Sequence, residues 1–239
     1  MNFRQIIQTL ALLCAALPAA AQWTGKGEAG LAMASGNSDS KQINAKVAVG
    51  LKRNSWEHTL GFAALYVRAD EETTARRWEA SGQTRFVFVG ERAFWFGGGR
   101  YEEDRFSGFD YQAVITVGLG NKFIDSEDTK LSGQVGFGYK LLETLPSVEA
   151  PRSKDHAVAG TVALEFSHRL TRTTTFINKF GAESSSENNF LQNQVSIEVK
   201  ITDRMALSLG FAVRHNTDPP VEFKKTDRLS TVNLVYEVK

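Results

Sequence analysis

Apolar and polar residues alternate with a period of two in segment after segment, over most of the length of this chain. In the segment Gln42–Lys52, for example, Ile43, Val47 and Leu51 fall on one side and Lys46 falls on the other. A β-strand places successive side chains on opposite faces, so each such segment predicts a strand with one apolar and one polar face. Many such strands with their polar faces turned inward are typical of a β-barrel embedded in lipid.

The predicted fold class is therefore all-β, an antiparallel up-and-down transmembrane barrel of about twelve strands. The alternative is a soluble β-sandwich or lipocalin-like barrel, which would hide its apolar face and use shorter strands. The candidate strands are residues 22–34, 40–52, 55–68, 75–89, 93–105, 109–124, 129–142, 155–169, 173–185, 189–201, 204–215 and 226–238.

The connections between these segments alternate in character. One set is tight and consists of Lys52–Ser55, Gly90–Arg92, Asp125–Asp128, Thr171–Arg172 and Thr202–Asp203. The other set is longer on average and more polar, and consists of Ser35–Asp39, Asp70–Thr74, Ser107–Gly108, Glu143–Lys154, Ser186–Asn188 and Asn216–Lys225. Outer-membrane barrels have short periplasmic turns, longer external loops and an even number of strands, which predicts that the N- and C-termini are both periplasmic.

The first 21 residues predict a secretory signal peptide. A short head precedes the apolar stretch Ile6–Leu17, and Ala19–Ala21 offers a cleavage site before Gln22. The alternative for this stretch is a buried N-terminal helix. The only cysteine, Cys14, lies inside it. The predicted mature domain, residues 22–239, therefore forms neither a disulfide framework nor a thiolate metal site.

Composition and local motifs exclude several other classes. The net charge of +1 argues against a nucleic-acid partner, which normally requires a strong basic excess. Gly36–Asp39 lacks the spacing of an EF-hand and indicates a turn. Gly97–Gly99 has no following helix, so it is no phosphate-binding loop and more plausibly relieves crowding in a bending wall. No cofactor or metal is predicted.

The alternation assigns side chains to the two faces of the barrel. Apolar sets such as those of residues 111–119 and 131–141 are predicted to face lipid. The predicted lumenal residues are Glu57, Gln112, Thr116, Lys122, Lys130, Gln134, Lys140, Gln192, Gln194, Glu198, Lys200, Arg204 and Arg214. The fifth and ninth candidate strands fit poorly, because Phe94–Phe96 and Phe176–Ile177 are runs of apolar residues, and predict a bulge or an inward aromatic side chain.

Aromatic residues cluster near both predicted ends of the strands. Trp and Tyr favour the headgroup level of a membrane, so two belts are expected in a barrel that spans one. The predicted girdle residues are Trp23, Trp56, Trp78, Trp95, Tyr66, Tyr111 and Tyr236.

The densest polar cluster surrounds the connection Ser107–Gly108. Arg100, Glu102 and Asp104 share one predicted face, Glu103 and Arg105 share the other, and Asp110 follows the turn. This pattern is consistent with a lumenal charge cluster that constricts the outer mouth, with an internal network that plugs the barrel, or with a solvated hairpin beyond the membrane.

Hydrolytic chemistry is the remaining class to weigh. Ser167 and His168 are adjacent on one predicted strand and therefore point to opposite faces. A triad that combines His156 or His215 with serines of the 184–186 segment stays open, although the chain lacks a G-x-S-x-G elbow. No catalytic residues are assigned, and an enzyme is not expected.

Four stretches carry a resemblance to a known family. They are Trp23–Glu28, Ser35–Asp39, Arg100–Tyr111 and Phe223–Asp227, and the third is the most specific. Through them the chain resembles the salt-induced outer-membrane protein family, a bacterial group defined around a domain of unknown function. The resemblance extends over essentially all of Gln22–Lys239 and implies an outer-membrane barrel of Gram-negative bacteria, with no established activity or catalytic residues.

These observations predict a monomeric outer-membrane barrel with a structural or envelope role, associated with salt or stress and with a narrow or plugged pore. The alternatives are a passive porin-like channel and an outer-leaflet lipid hydrolase. The expected partners are outer-membrane lipid, lipopolysaccharide and, during biogenesis, the barrel-assembly machinery. That machinery commonly reads a terminal aromatic residue, whereas this chain ends in Tyr236–Lys239, so Tyr236 is the residue expected to serve.

Overall fold

A computed structural model describes residues 22–35, 40–69, 72–88, 92–104, 107–145, 153–220 and 223–238, so the predicted signal peptide lies outside the described residues. The strands are β1 (Gln22–Ser35), β2 (Ser40–Arg53), β3 (Trp56–Ala69), β4 (Glu72–Val87), β5 (Ala93–Asp104), β6 (Phe109–Asp125), β7 (Thr129–Thr144), β8 (Lys154–Arg169), β9 (Thr174–Ser184), β10 (Phe190–Lys200), β11 (Met205–Asn216) and β12 (Thr226–Val238). The described residues include no helix long and apolar enough to cross a membrane.

The strands form one closed antiparallel barrel in which each strand pairs with its neighbours in sequence. Closure comes from β1 and β12, which pair from Gly25 with Val238 to Ser35 with Arg228. The predicted all-β, up-and-down topology is confirmed. A closed barrel leaves no sheet edge unpaired, so the backbone polar groups of the strands are satisfied within the wall.

The two ends of the barrel differ. At one end, here called the near end, lie Gln22, Val238 and connections of two to five residues, among them 54–55 and 126–128. The other end, the far end, carries the two longest connections, residues 145–153 and 217–225. This arrangement matches the predicted alternation of tight turns and longer loops.

The outer face of the wall is apolar and the inner face is polar. Ile115 and Val158 each expose 70 % of their surface on the outside. On the inside, Gln112 and Asn233 are almost completely buried. This distribution is the one expected of a barrel whose outer face meets lipid, where a lysine or arginine costs about 2–4 kcal/mol at the midplane.

Strand β5 shows which of the two predicted irregularities occurs. Phe94 and Phe96 point inward and are buried, whereas Trp95 points outward. A Cβ atom on Gly118 of β6 would lie 2.7 Å from the ring of Phe96. A Cβ atom on Gly120 would lie 2.3 Å from the ring of Phe94. The glycines of β6 therefore make room for the inward aromatics, and the register of β5 shifts only at its far end, between Glu102 and Asp104.

Strand β9 needs no bulge. Its pairing with β10 runs without a shift from Glu183 to Thr174. Phe176 packs against Phe166 on the outer face. Ile177 faces the lumen, where it lines a cavity in the near-end half of the barrel.

Candidate functional site: a charge lattice across the lumen

Ionic side chains from five strands meet inside the far half of the barrel. We call this group the charge lattice. It comprises four cations and four carboxylates: Arg77, Glu79, Arg100, Glu102, Asp104, Lys140, Glu183 and Arg214. None of these side chains exposes more than 22 % of its surface, and their formal charges cancel.

Arg214 contacts side chains of the opposite wall of the lumen. It lies on β11, and it donates hydrogen bonds to Asp104 Oδ2 at 2.7 Å and to Glu102 Oε1 at 2.5 Å on β5. In the closed order of twelve strands, β5 and β11 are six positions apart, so they face each other across the barrel. An ion pair therefore bridges opposite walls at that height.

Glu102 is the hub of the lattice. Its side chain is fully buried, and its carboxylate lies 2.9 Å from Arg100 Nη1 and 3.7 Å from Arg77 Nε in addition to the contact with Arg214. Three guanidinium groups around one carboxylate offset the cost of burying that charge.

A second arm of the lattice leads to β9. Arg100 Nη2 donates to Glu183 Oε1 at 2.6 Å, and Lys140 Nζ of β7 lies 3.3 Å from Glu183 Oε2. Lys140 is 1 % exposed. The lattice therefore joins β4, β5, β7, β9 and β11 around the circumference.

An aromatic ring packs into the centre of this network. The ring of Phe190, at the far end of β10, lies 5.2 Å from the Arg100 guanidinium carbon and 4.9 Å from that of Arg214. Lys140 Nζ lies 5.8 Å from the same ring. These cation–π contacts place an apolar group between the ion pairs.

Loops of the far end cover the lattice. Asn188 is 1 % exposed, donates to Asn216 Oδ1 at 2.8 Å and accepts from the backbone N–H of Asp218 at 3.1 Å. Gly108 has a φ of 84°, and a Cβ atom there would lie 2.8 Å from the ring of Phe223. The turn after β5 and the loop before β12 therefore interlock over the far mouth.

The lumen stays open on the near-end side of the lattice. A cavity of about 490 Å³ lies directly beneath Arg100 and Glu183. A second cavity of about 530 Å³ shares Arg85, Glu165 and Lys179 with the first. The two form a polar chamber on the near-end side of the lattice, and Arg100 and Glu183 line its far end.

The structure brings three of the four predicted cluster residues together. Arg100, Glu102 and Asp104 lie inside the lattice, as their shared face predicts. Asp110 is half-buried on β6, where the register shifts between Phe109 and Tyr111. Glu103 lies on the outer face and accepts hydrogen bonds from Trp78 Nε1 at 2.9 Å and Tyr101 Oη at 3.2 Å. Arg105 lies outside the described residues.

The local sequence pattern does not connect this cluster with its ion-pair partners. Arg214 and Lys140 are among the predicted lumenal residues, but nothing in a local window connects them with Glu102, 112 residues away from Arg214. Strand order carries the missing signal, because in a twelve-stranded barrel the fifth and eleventh strands are opposite. Arg77 lies opposite Asp104 in the register of the neighbouring strands β4 and β5, and Glu183 joins the cluster from β9.

The predicted girdle residues fall near the two ends of the outer face. Trp23, Trp56, Trp95 and Tyr236 are near-end residues, and each exposes more than a third of its surface. Trp56 packs edge-on against Trp95 with ring centroids 5.4 Å apart. At the far end lie Tyr66, Trp78 and Tyr111; Trp78 lies 5.1 Å from the Tyr101 ring, which stacks on Tyr111 at 5.8 Å.

The serines and histidines of the predicted triad make other contacts. His215 Nδ1 lies 2.8 Å from Thr226 Oγ1, and His156 packs against the Tyr139 ring at 5.8 Å. The serines donate locally: Ser184 to Asn189, Ser185 to Asn188 and Ser186 to Glu187. Within the described residues, no hydrogen bond joins these serines to either histidine.

Nothing in the described part of the chain groups three or more histidine, cysteine or acidic side chains in a way that could hold a metal ion. The turn Gly36–Asp39 lies outside the described residues.

Comparison with known proteins places the chain in a family. A match to the family described as "Protein of unknown function, DUF481" covers residues 27–238. The chain belongs to this family. The predicted membership of a group defined around a domain of unknown function is thus confirmed, whereas the association with salt stays a prediction.

The chain is also similar to a protein of known sequence and to solved structures. The chain is 23 % identical over 224 residues to the uncharacterized protein YdiY of Escherichia coli (strain K12), covering 92 % of this chain and 86 % of that protein. Among solved structures it is similar to the NanC porin, with a TM-score of 0.57, 9 % identity, and coverage of 91 % of this chain and all of the porin. The translocator domain of the autotransporter NalP from Neisseria meningitidis gives a TM-score of 0.49 at 12 % identity, over 98 % of this chain and 94 % of that domain.

Proposed function

We propose that this protein is an integral outer-membrane barrel of a Gram-negative bacterium with a structural or envelope-maintenance role, and that its lumen is closed at rest. The apolar outer face and the two groups of aromatic residues support the membrane placement, because that face would otherwise be exposed to water. Outer-membrane lipid and lipopolysaccharide are then the molecules in contact with the wall, and the barrel-assembly machinery is the partner during insertion.

The short connections support a periplasmic near end. In outer-membrane barrels the tight turns face the periplasm, so the near end is periplasmic and the lattice lies toward the outside. The chamber beneath the lattice then opens to the periplasm. Its closed end lies beneath the external loops.

The single observation that carries the closed lumen is the ion pair between Arg214 and Glu102, which joins opposite walls. A hydrated pore through this height would expose these side chains to water, yet Glu102 is fully buried. Phe190 fills the space beside the pair. A solute would have to break several buried ion pairs to pass, and breaking even one such pair costs about 3–5 kcal/mol.

Planar-bilayer recording tests the closed state. The purified protein is expected to give little steady conductance. The variant Arg100→Ser/Glu102→Ser/Arg214→Ser removes the crossing side chains and is expected to give ohmic steps.

A matched control shortens an equal number of lumenal side chains near the other end. Lys26 and Glu198 lie within hydrogen-bond distance of each other there, and Glu28 lies 3.6 Å from Lys26. The variant Lys26→Ser/Glu28→Ser/Glu198→Ser leaves the lattice intact and should stay closed. Large ohmic steps from the unmodified protein would contradict the closed lumen and favour a passive channel.

A gated channel is the second candidate, and the chamber of about 490 Å³ beneath the lattice favours it. A purely structural barrel of this size could fill its lumen with side chains, as 8-stranded barrels do. Brief, voltage-dependent openings of the unmodified protein that the triple lattice variant converts to permanent openings would support a gate.

A further inference from the structure

Two asparagines interrupt the apolar outer face. On β9, Lys179 and Glu183 line the lumen, so the alternation places Asn178 outside. On β10, the lumenal Gln192 places its neighbour Asn193 outside in the same way. Asn178 stands between Phe176 and Phe180 on its strand, and Asn193 between Leu191 and Val195, so both amides lie within the apolar belt.

The two side chains bind each other incompletely. Asn178 Nδ2 donates to Asn193 Oδ1 at 2.9 Å. Each amide carries two N–H donors and an oxygen acceptor, so this bond leaves the oxygen of Asn178 and the amino group of Asn193 to face outward. In hydrocarbon an amide without a partner is costly.

Toward the far end of the barrel, the same face carries small residues. Gly160 of β8 lies beside Ser184 in the register of β8 and β9, and Ala182 is the outward residue between Ser184 and Phe180. A Cβ atom added to Gly160 would have no heavy atom within 4 Å. Small residues allow two membrane-spanning surfaces to approach closely.

We propose that this face, β8 to β10, binds the same face of a second copy of the chain across a two-fold axis. A donor and an acceptor left over on one patch are self-complementary: the amino group of Asn193 meets the oxygen of Asn178 on the second copy, and the reverse contact forms by symmetry. No other partner has to supply a matching group. The inference rests on the membrane placement proposed above, and it departs from the monomer expected from the sequence.

Cysteine crosslinking in lipid vesicles tests this dimer, since the chain has no cysteine after Cys14. The variant Val195→Cys places a thiol beside the amide pair. Phe62→Cys on β3, five strands away from β10 in the closed barrel, is the matched control on the far side of the wall. Treatment with a short bis-maleimide should give a product of twice the chain mass from the first variant and only a trace from the second.

The amides themselves are tested in the Val195→Cys background. Asn178→Leu/Asn193→Leu removes the hydrogen bond within each chain and the two proposed hydrogen bonds between the copies. Leucine suits a lipid-facing surface, so the barrel should still fold. Dimerisation should weaken about tenfold or more, since such bonds contribute about 1–2 kcal/mol each in membranes. Val47→Leu/Val49→Leu, on the outer face of β2, controls for the added leucines and should leave the dimer unchanged.

Three results would overturn the inference. Equal crosslinking at residues 195 and 62 would show random collision, and an unchanged dimer in the double leucine variant would show that the amides are not the contact. In intact cells, a product of any mass other than twice the chain would replace the second copy with a different partner. Failure of the membrane placement is a separate result, seen as protein that alkaline extraction releases from the vesicles before any crosslinking.

Discussion

Replacing Glu102 by glutamine removes the central charge of the lattice while keeping the shape of the side chain. The residue is fully buried and has Arg77, Arg100 and Arg214 within 3.7 Å. Glutamine leaves three guanidinium groups around a neutral amide. Removing one partner from a buried ionic group costs about 3–5 kcal/mol. Asp104 still pairs with Arg214, so we expect a loss of about 3 kcal/mol, which is more than a hundredfold in the unfolding equilibrium.

Reversible urea unfolding in lipid vesicles measures this loss, with tryptophan fluorescence as the signal. The control is Glu165→Gln. Glu165 also faces the lumen, but half of its side chain is exposed and its carboxylate lies 3.8 Å from Arg85. An exposed pair of this kind contributes about 0–1 kcal/mol, so the control should unfold nearly as the unmodified protein does.

A double-mutant cycle separates the crossing pair from the rest of the lattice. Glu102→Gln and Arg214→Met, measured singly and together, should show a coupling energy above about 1 kcal/mol, because the two side chains are in direct contact. If Glu102→Gln costs no more than Glu165→Gln, the lattice is hydrated and the argument for a closed lumen is refuted.

Three further predictions test the orientation of the wall and the fit of its glycines. Val135→Lys should cost about 2–4 kcal/mol in the same unfolding assay, because Val135 lies 60 % exposed on the outer face, whereas Gln134→Lys, one residue away in the lumen, should cost under about 1 kcal/mol. Gly120→Ala should cost about 1–3 kcal/mol because its Cβ would meet the Phe94 ring, and the cost should shrink in a Phe94→Ala background; an equal cost in both backgrounds would contradict the proposed fit. Gly108→Ala should destabilise the barrel by at least about 1 kcal/mol, since φ is 84° there, and an unchanged unfolding midpoint would contradict the interlocked loops.

The sequence predicts the wall of this barrel almost completely, because each strand is specified locally. The period of two assigns every side chain to a face, and lipid and water impose opposite demands on the two faces. All twelve predicted segments agree with the observed strands to within three residues at each end. Strand β5 was ambiguous because Phe94–Phe96 satisfies neither face alone. The ambiguity is resolved by Gly118 and Gly120, which lie on a different strand and make room for the inward rings.

The candidate site could be predicted only in part. Alternation gives the face of Arg100, Glu102 and Asp104, and the closeness of opposite charges indicates a network. The choice between a constriction, a plug and a solvated hairpin depends on what lies across the lumen. Arg214 lies there, and its contact with Glu102 spans 112 residues of sequence.

The sequence by itself determines that this chain forms a barrel with an apolar outer face. The reason is that the period of two is a local property, which sets the apolar and the polar face of each strand. Only the tertiary structure decides which lumenal charges meet, since ion pairing depends on distances across the barrel. The same holds for Asn178 and Asn193. Their positions on adjacent strands follow from the sequence, but their hydrogen bond follows from the register that places them within 2.9 Å.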